Sequence, residues 1–370
     1  MNPGDAALTL DDLNTKLASS TAPVEMLRLN EFSPALPASP NEAAEMRRRF
    51  ETLLLPLDSA AHVYKALNAR GHELAVKVLM PVRPTVGNGL TEEQAAEKNR
   101  IRAAAFFEEY RSLVTLMHLK GFPQVYGMGQ KGEALLILME WVEGVALADL
   151  MPQLPVSILT DADGTRRRCV DPAVVANLEL SMLRVLRGTQ ALEHTFVHRD
   201  LSPRNILVRT SRRPLAEQLT SGDFDVVLVD LGSALVQREG EPGFAARQGI
   251  WRYGTAEYAA PEMLTRDMAD VEKLRHSETV DTYALCSITY QMLTGCTPFG
   301  LSARTDVSPH LAKLHETPAE LTCAAQGAGL LRVALRGMSA PQSERYSLDA
   351  LDAAIRAWQA NTNAADASAE

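Results

Sequence analysis

A polar loop between two apolar segments constrains this chain more than any other feature. The loop lies in residues 197–208, after a predicted apolar helix and before a predicted apolar strand. It carries Asp200, whose carboxylate can accept a hydroxyl proton, and Asn205, whose amide oxygen can bind a metal ion. Phosphoryl transfer needs both kinds of group, to orient a nucleophile and to neutralise charge. Taken alone, the loop is also explained as a capped turn.

A second apolar strand, at residues 226–229, ends in Asp230-Leu231-Gly232. An aspartate at a strand end is a candidate magnesium ligand, because Mg²⁺ prefers hard oxygen atoms and usually takes only one or two protein carboxylates. The same tripeptide is common in ordinary turns. Its position after the first loop is what favours the metal hypothesis.

A lysine interrupts an apolar strand in the first half of the chain. Lys77 lies in residues 74–79, and Glu109 lies on the apolar face of the helix that follows. A lysine in this position either extends to solvent or meets an anion. A buried glutamate also needs a partner, so the sequence predicts a Lys77–Glu109 ion pair. Further along, Glu262 and Arg345 are predicted to pair and to pin a long loop.

The periodicity of apolar residues divides the chain into two parts. Residues up to 142 are mostly strand-like, whereas later residues show helical stripes. One stripe consists of Val175, Leu178, Met182 and Val185, and another apolar helix is closed by Gly295. The pattern predicts an α+β protein with a cleft between two lobes. We expect a partly disordered extension at 1–45, lobes at 46–141 and 142–360, and a flexible tail at 361–370.

Composition excludes several classes of protein. The formal net charge is −9, which argues against a protein that binds nucleic acid through its phosphates. Four cysteines without C-x-x-C spacing indicate neither a disulfide framework nor a zinc site. No leader or membrane-spanning segment is evident in the sequence. We therefore expect a cytoplasmic protein; the sequence does not predict its oligomeric state.

Taken in order, these segments resemble the eukaryotic-like serine/threonine protein kinases of the bacterial type. The resemblance covers about residues 50–358. It rests on an A-V-K strand, a helix Glu, H-R-D-x-x-x-x-N, D-x-G, G-T-x-x-Y-x-A-P-E, a helix Asp and a late Arg. It implies a small sheet-rich lobe, a larger helical lobe, use of ATP and Mg²⁺, and protein substrates.

The resemblance also implies roles for individual residues. Asp200 would be the catalytic base, with Lys77 on the α- and β-phosphates, Glu109 holding that lysine, and Thr255 marking the serine/threonine branch. Asn205 and Asp230 would hold Mg²⁺. The nucleotide site would include Lys77, Val63, Ala75, Met139, Glu140, Val142 and Leu207, with Met139 as gatekeeper and the backbone of Glu140 and Val142 binding adenine.

Three departures from the family pattern stand out. Pro56, Asp58 and Ala61 occupy the positions where phosphate-binding glycines are expected. Ser202 replaces the usual lysine of the catalytic loop, and Arg204 is the candidate to supply its charge. Residues 209–224 lengthen the connection between the two loops, and we expect a surface hairpin or loop there.

Three functions remain open from the sequence. An active serine/threonine kinase is favoured, because Lys77, Glu109, Asp200, Asn205 and Asp230 are all retained. The missing glycines favour a pseudokinase, a binding module that keeps the fold. A small-molecule phosphotransferase of the same fold is the third, although such relatives generally lack the anchor at residues 260–262 and the late arginine.

Overall fold

A computed structural model of the chain describes residues 24–56, 63–84, 89–160, 164–238, 254–267, 269–319, 321 and 325–367. These residues belong to two compact units. The first comprises residues up to 118 together with 122–142, and the second comprises 119–121 together with residues from 143 onwards. The first unit is rich in sheet and the second is mostly helical. The predicted α+β class is therefore confirmed.

The first unit consists of seven strands and two helices in its described part. In chain order they are β1 (Val24–Arg28), β2 (Glu31–Pro34), α1 (Pro40–Phe50), β3 (Thr52–Pro56), β4 (Val63–Asn68), β5 (Glu73–Leu79), α2 (Glu92–Leu116), β6 (Val125–Lys131) and β7 (Ala134–Glu140). A capping box begins each helix, formed by Ser39 with Glu42 and by Thr91 with Gln94. These side chains satisfy N–H groups that have no partner inside a helix.

All seven strands form one antiparallel sheet in the order β1-β3-β4-β5-β7-β6-β2. The two end strands are consecutive in the sequence, and only Leu29 and Asn30 separate them. Three peptide steps span at most about 11 Å, so the sheet must curl until its ends meet. The Leu29 N–H donates to Glu51 O and the Asn30 N–H donates to Gln130 O, which ties both ends to this junction.

Apolar side chains fill the inside of the curled sheet. They come from α1, from the junction between β1 and β2, and from the inner strands β3, β4, β5 and β7: Leu29, Phe50, Leu53, Leu55, Ala66, Leu74, Val76, Leu136 and Leu138. Phe50 stacks on Tyr126 with ring centroids 5.1 Å apart. The sheet therefore encloses a core of its own and holds β5, which carries Lys77, at its centre.

In its described part the second unit has eight α-helices and only short sheets. Its α-helices are α3 (Leu147–Leu150), α4 (Pro172–Gly188), α5 (Leu215–Ser221), α6 (Val271–Leu274), α7 (Thr279–Thr294), α8 (Pro309–His315), α9 (Ala328–Gly337) and α10 (Leu348–Ala367), and short 3₁₀ turns add to these in the described ranges. Its strands are β8 (Gly144–Ala146), β9 (Val156–Thr160), β10 (Arg166–Val170), β11 (His194–Val197), β12 (Ile206–Arg209), β13 (Val226–Leu228) and β14 (Leu235–Arg238). β9 pairs with β10, β11 pairs with β14, and β12 lies between β13 and β8.

The predicted helical stripes are buried in this unit. Every member of the stripe on α4 lies in the core: Val175, Leu178, Met182 and Val185. α7 is buried along nearly its whole length and ends before Gly295, whose φ of 76° is the left-handed conformation that closes a helix. α7 therefore forms the central support on which the functional loops are built.

Three segments differ from the sequence expectations. Residues 24–34, assigned to an N-terminal extension, form the two end strands of the sheet. Residues 209–224, expected to form a hairpin or loop, contain α5, whose Gln218 is buried and donates to the Arg209 and Arg213 carbonyls. Residues 361–367, assigned to a flexible tail, continue α10. Among the described residues, no helix has both the length and the apolar composition that a membrane span requires.

Candidate active site

The loop that carries Asp200 runs from the end of β11 to the start of β12. Both strands are paired, which fixes the two ends of the loop. Arg199 has a φ of 68°, and Asp230, at the end of the next strand region, has a φ of 58°. Residues with a Cβ rarely adopt this left-handed conformation, and such strained positions cluster at functional sites.

A buried carboxylate on α7 holds the start of this loop. Asp281 Oδ2 accepts a hydrogen bond from the His198 N–H at 2.7 Å, and Oδ1 accepts one from the Arg199 N–H at 2.9 Å. Burial raises the pKa of Asp281 to about 6, although both hydrogen bonds favour its charged form. Asp281 thus stabilises the strained backbone next to Asp200.

Thr255 holds one oxygen of the candidate base. Its N–H and its hydroxyl donate to Asp200 Oδ1 at 2.7 and 2.8 Å. In the described ranges no donor reaches Asp200 Oδ2. Burial raises the pKa of Asp200, and the negative charge of Asp230 acts in the same direction. The carboxylate is therefore oriented, with one oxygen available.

Gly254 makes this approach possible. A Cβ at Gly254 would lie 2.9 Å from the Arg199 carbonyl oxygen and 2.9 Å from the Ala259 Cβ. Any larger residue would push the segment away from the loop, and Thr255 would move with it. Steric crowding therefore explains why a glycine precedes Thr255.

Asn205 and Asp230, the predicted magnesium ligands, lie on segments joined by hydrogen bonds. The Val229 N–H donates to Asn205 O at 3.0 Å, and His198 Nε2 lies 3.2 Å from Val229 O. The Asn205 side-chain amide donates to Asp200 O at 2.8 Å, which leaves its oxygen as the acceptor. One amide and one carboxylate oxygen suit Mg²⁺, which completes its shell with water and phosphate. The residues present therefore fit the ion.

The predicted Lys77–Glu109 ion pair is present in the first unit. Lys77 Nζ on β5 lies 2.5 Å from Glu109 Oε1 on α2, and both side chains are largely shielded from solvent. Because water screens this pair little, the carboxylate fixes the position of the ammonium group. Lys77 also lies opposite Val63, its cross-strand partner on β4. The ammonium group of Lys77 is thus held close to a residue predicted to line the nucleotide site.

The residues predicted to line the adenine site divide between the units. Val63, Ala75, Met139, Glu140 and Val142 belong to the first unit, whereas Leu207 lies on β12 of the second. Ala75 and Met139 are direct cross-strand partners. The Glu140 N–H donates to Gln124 O at 2.8 Å, so the expected contact of Glu140 with adenine falls to its carbonyl group.

The departures from the family pattern have different structural outcomes. Pro56 ends β3, whereas Asp58 and Ala61 lie outside the described residues. Ser202 is buried and Arg204 is exposed. Burial raises the pKa of Tyr258, and the positive charge of Arg204 opposes this shift.

A buried ion pair pins the chain that follows this segment. Arg345 donates to both carboxylate oxygens of Glu262, at 2.6 and 3.0 Å, and neither side chain reaches solvent appreciably. Gln342 donates to the same carboxylate at 3.0 Å. The predicted pair is thus present, in the bidentate geometry that gives an arginine–carboxylate contact its strength.

Two site-supporting residues were not predicted from the sequence. Arg275 is buried, donates to the carbonyls of Glu262 and Thr265, and accepts a hydrogen bond from Arg199 through its own carbonyl. Lys313 on α8 is buried and donates to the carbonyls of Glu257 and Ala259. Basic residues normally lie on the surface, so no local signal singled these two out.

Comparison with known proteins adds independent evidence. A family model described as "Protein kinase domain" matches residues 59–328, well over half of the chain. Similar proteins include the serine/threonine-protein kinase PknL of Mycobacterium tuberculosis, 29% identical over 210 residues that cover 56% of this chain and 41% of that protein. The DNA damage-responsive serine/threonine-protein kinase RqkA of Deinococcus radiodurans is 29% identical over 255 residues, covering 68% of this chain and 30% of that protein.

A third similar protein is the serine/threonine-protein kinase pkn2 of Myxococcus xanthus. It is 27% identical over 272 residues, which cover 70% of this chain and 28% of that protein. The chain therefore spans less than half the length of each of these three relatives. The residues that match the family model, 59–328, include the loops around Asp200 and Asp230.

Proposed function

The chain belongs to the protein kinase family, and on that premise we propose that it transfers the γ-phosphate of ATP to serine or threonine hydroxyls of other proteins. The observation that carries this proposal is the geometry of Asp200. Thr255 holds Oδ1 through two hydrogen bonds, and Oδ2 has no donor in the described ranges. A hydroxyl nucleophile needs an oriented carboxylate with one available oxygen.

Asp200 acts as the base in this proposal. It accepts the hydroxyl proton at Oδ2 as the substrate oxygen bonds to the γ-phosphorus and the bond from that phosphorus to the bridging oxygen breaks, which releases ADP. Thr255 meanwhile keeps the carboxylate from rotating. Burial raises the pKa of Asp200, which makes the carboxylate a better proton acceptor than an exposed aspartate. Its main function is orientation, because phosphoryl transfer depends mostly on positioning and charge.

Lys77 and the two oxygen donors serve the nucleotide. Lys77 binds phosphate oxygens, and Glu109 keeps the ammonium group in place. Magnesium held by Asn205 and Asp230 would neutralise charge on the transferred phosphoryl group. Arg204 supplies the positive charge that the family usually places two residues after the base. These assignments rest on the family pattern and on the contacts described above.

Two features support a protein substrate with an aliphatic hydroxyl. The relatives described above are named serine/threonine-protein kinases, and Thr255 in contact with the base matches that branch. The Glu262–Arg345 pair anchors the segment after Thr255, and small-molecule phosphotransferases of this fold generally lack such an anchor. Both features make that third function the weakest of the three.

Incubation with γ-labelled ATP and Mg²⁺ tests the proposal, with the protein alone and with generic protein substrates. We expect labelled phosphoserine or phosphothreonine from the wild type and none from Asp200→Asn. Asparagine keeps Oδ1 for Thr255 but cannot accept the proton, so the variant separates chemistry from folding. Transfer by Asp200→Asn at the wild-type rate would place the base elsewhere.

Thermal unfolding tests nucleotide binding separately. A ligand at 100 times its dissociation constant stabilises the folded state by about 2.7 kcal/mol. We expect Mg-ATP to stabilise the wild type and Asp200→Asn equally, and the effect to vanish without magnesium or in Asp230→Asn. A wild type that showed no stabilisation at millimolar Mg-ATP would contradict the kinase proposal.

A pseudokinase is the second candidate. It is favoured because Asp58 and Ala61 stand where the family pattern has glycines. Without glycines, backbone N–H groups approach phosphate less closely, and a carboxylate there repels ATP. Stabilisation by Mg-ATP without any transfer would support this candidate. If Asp58→Gly with Ala61→Gly tightens ATP binding and raises turnover, the glycine loss weakens nucleotide binding without removing the chemistry.

A further inference from the structure

Lys313 on α8 is among the most buried side chains of the second unit, with 1% of its surface exposed. Lysine is almost never fully buried unless its ammonium group has partners. Here the ammonium donates to Glu257 O at 3.0 Å and to Ala259 O at 2.8 Å, residues that are 56 and 54 positions away in the sequence. A long-range contact to the main chain thus accounts for the burial.

The ammonium group also lies over two aromatic rings, with the Tyr283 centroid at 5.1 Å and the Phe299 centroid at 5.4 Å. Both ring faces stabilise a cation. Two carbonyl oxygens and two rings therefore stabilise the charged form of Lys313. Removal of the ammonium group from water opposes them.

The two carbonyls belong to the segment that carries Thr255. In the described ranges Lys313 is the donor to Glu257 O and to Ala259 O. The Glu257 carboxylate has separate partners on a later 3₁₀ turn, so that side chain is held independently of Lys313. Thr255 lies just before the two carbonyls and makes both hydrogen bonds to Asp200 Oδ1. A shift of the segment therefore moves the donors that orient the base.

We propose that Lys313 is a positioning residue for phosphoryl transfer: it holds the main chain of residues 257–259 and thereby keeps Thr255 on Asp200. This inference rests on the proposed kinase function. In the part of the chain that the structure describes, Lys313 makes no contact with Asp200. It acts on the main chain, because its buried ammonium group donates to two carbonyl oxygens of that segment.

The charge of Lys313 gives the proposal a pH signature. Burial lowers the pKa of Lys313 to about 7, while Glu257 and Glu262 raise it and Arg345 lowers it. His310 and His315 lie on the same helix, and Tyr283 faces the ammonium from α7. Hydrogen bonds from a charged donor are stronger than those from a neutral one. The segment is therefore held most firmly below pH 7 and loosens as the ammonium loses its proton.

Lys313→Met and Lys313→Arg test the inference, with Lys273→Met as a control that removes an exposed cation of the same unit. Methionine keeps the apolar stem and removes the donor, whereas arginine keeps the charge at every pH. For Lys313→Met we expect kcat to fall roughly tenfold to a hundredfold, the change that losing a hydrogen bond to a charged group produces. KM for ATP should stay the same, and Lys273→Met should match the wild type.

The ratio of kcat for wild type to kcat for Lys313→Arg should fall as pH rises through about 7, because only the wild type loses its charge. Other titrating groups cancel in this ratio. A merely structural lysine would change the yield of folded protein and leave both the ratio and the turnover of folded molecules unchanged. A flat ratio, or full kcat in folded Lys313→Met, would overturn the inference.

Amide hydrogen exchange separates this inference from the proposed function. Without any nucleotide, the amides of residues 254–259 should exchange roughly tenfold or more faster in Lys313→Met than in wild type. If the wild type transfers no phosphate, the kinase proposal fails, and faster exchange would still show that Lys313 holds the segment. Unchanged exchange at 254–259 would contradict the holding role itself, whether or not the protein is a kinase.

Discussion

Replacing Glu179 with glutamine should make the protein more stable at pH 8 than the wild type. Glu179 lies on α4 with 1% of its surface exposed. One carboxylate oxygen accepts a hydrogen bond from the Thr289 hydroxyl on α7, while Oε1 is buried without a partner in the described ranges. Burial raises the pKa of Glu179 to about 8 from the ordinary 4.5, so the folded protein keeps this carboxyl group protonated at neutral pH.

The size of the effect follows from proton linkage. The folded pKa is the higher one, so the stabilisation from Glu179 is fully present below about pH 4.5 and is lost as the pH rises through about 8. The difference between the ordinary pKa of 4.5 and the folded pKa of about 8 corresponds to a change of about 5 kcal/mol in the free energy of unfolding. Folded domains have a total stability of roughly 5–15 kcal/mol, so the loss is large. Glutamine has no proton to release and keeps its contribution across the interval.

Urea unfolding monitored by circular dichroism between about pH 5 and pH 8 measures this directly. The free energies of unfolding of wild type and Glu179→Gln should be close near pH 5 and should diverge by several kcal/mol at pH 8, with the variant higher. Asp281 titrates in the same interval in both proteins, so its contribution cancels. Glu193→Gln changes an exposed carboxylate and should behave as wild type. Parallel curves, or a less stable variant at pH 8, would refute the reasoning.

Three further substitutions test the site. Glu109→Gln should lower turnover at least tenfold while circular dichroism stays unchanged, because it loosens Lys77 without opening the core; full activity would remove the ion pair from the mechanism. Arg345→Met should destabilise the protein by about 3–5 kcal/mol in urea unfolding, because it leaves the Glu262 carboxylate buried without its cation. A loss below about 1 kcal/mol would show that water hydrates this carboxylate in the variant. Thr255→Val should lower kcat and leave Mg-ATP binding intact, as kinetics and thermal shift together would show, whereas equal losses in both would indicate a wider disturbance.

Local patterns predicted the parts of the site that depend on neighbours in the sequence. The Asp200–Asn205 spacing lies within one loop, and the Asn205 amide does bond to the Asp200 carbonyl. The end of α7 at Gly295 followed from a glycine after an apolar stripe. The Lys77–Glu109 pair was predicted across 32 positions, because a buried charge on each element demanded a partner.

Contacts that depend on tertiary packing could not be predicted in this way. Thr255 is 55 positions from Asp200, and nothing local shows that it donates twice to one carboxylate oxygen. The burial of Lys313 depends on carbonyls and rings from three other segments. α5 was missed because seven residues are too few for a clear apolar period, even though Gly222 closes it in the left-handed conformation.

The curled sheet of the first unit has a consequence for where this domain begins. The two end strands of the sheet are β1 and β2, and both precede residue 59, where the match to the family starts. A chain trimmed to residues 59–328 would also lose β3 and would leave β4 and β6 as open edges. Unpaired strand edges recruit strands from other molecules. Such a trimmed protein should therefore aggregate through strand pairing, whereas a chain that begins before Val24 keeps its own edges paired and should stay monodisperse at the same concentration.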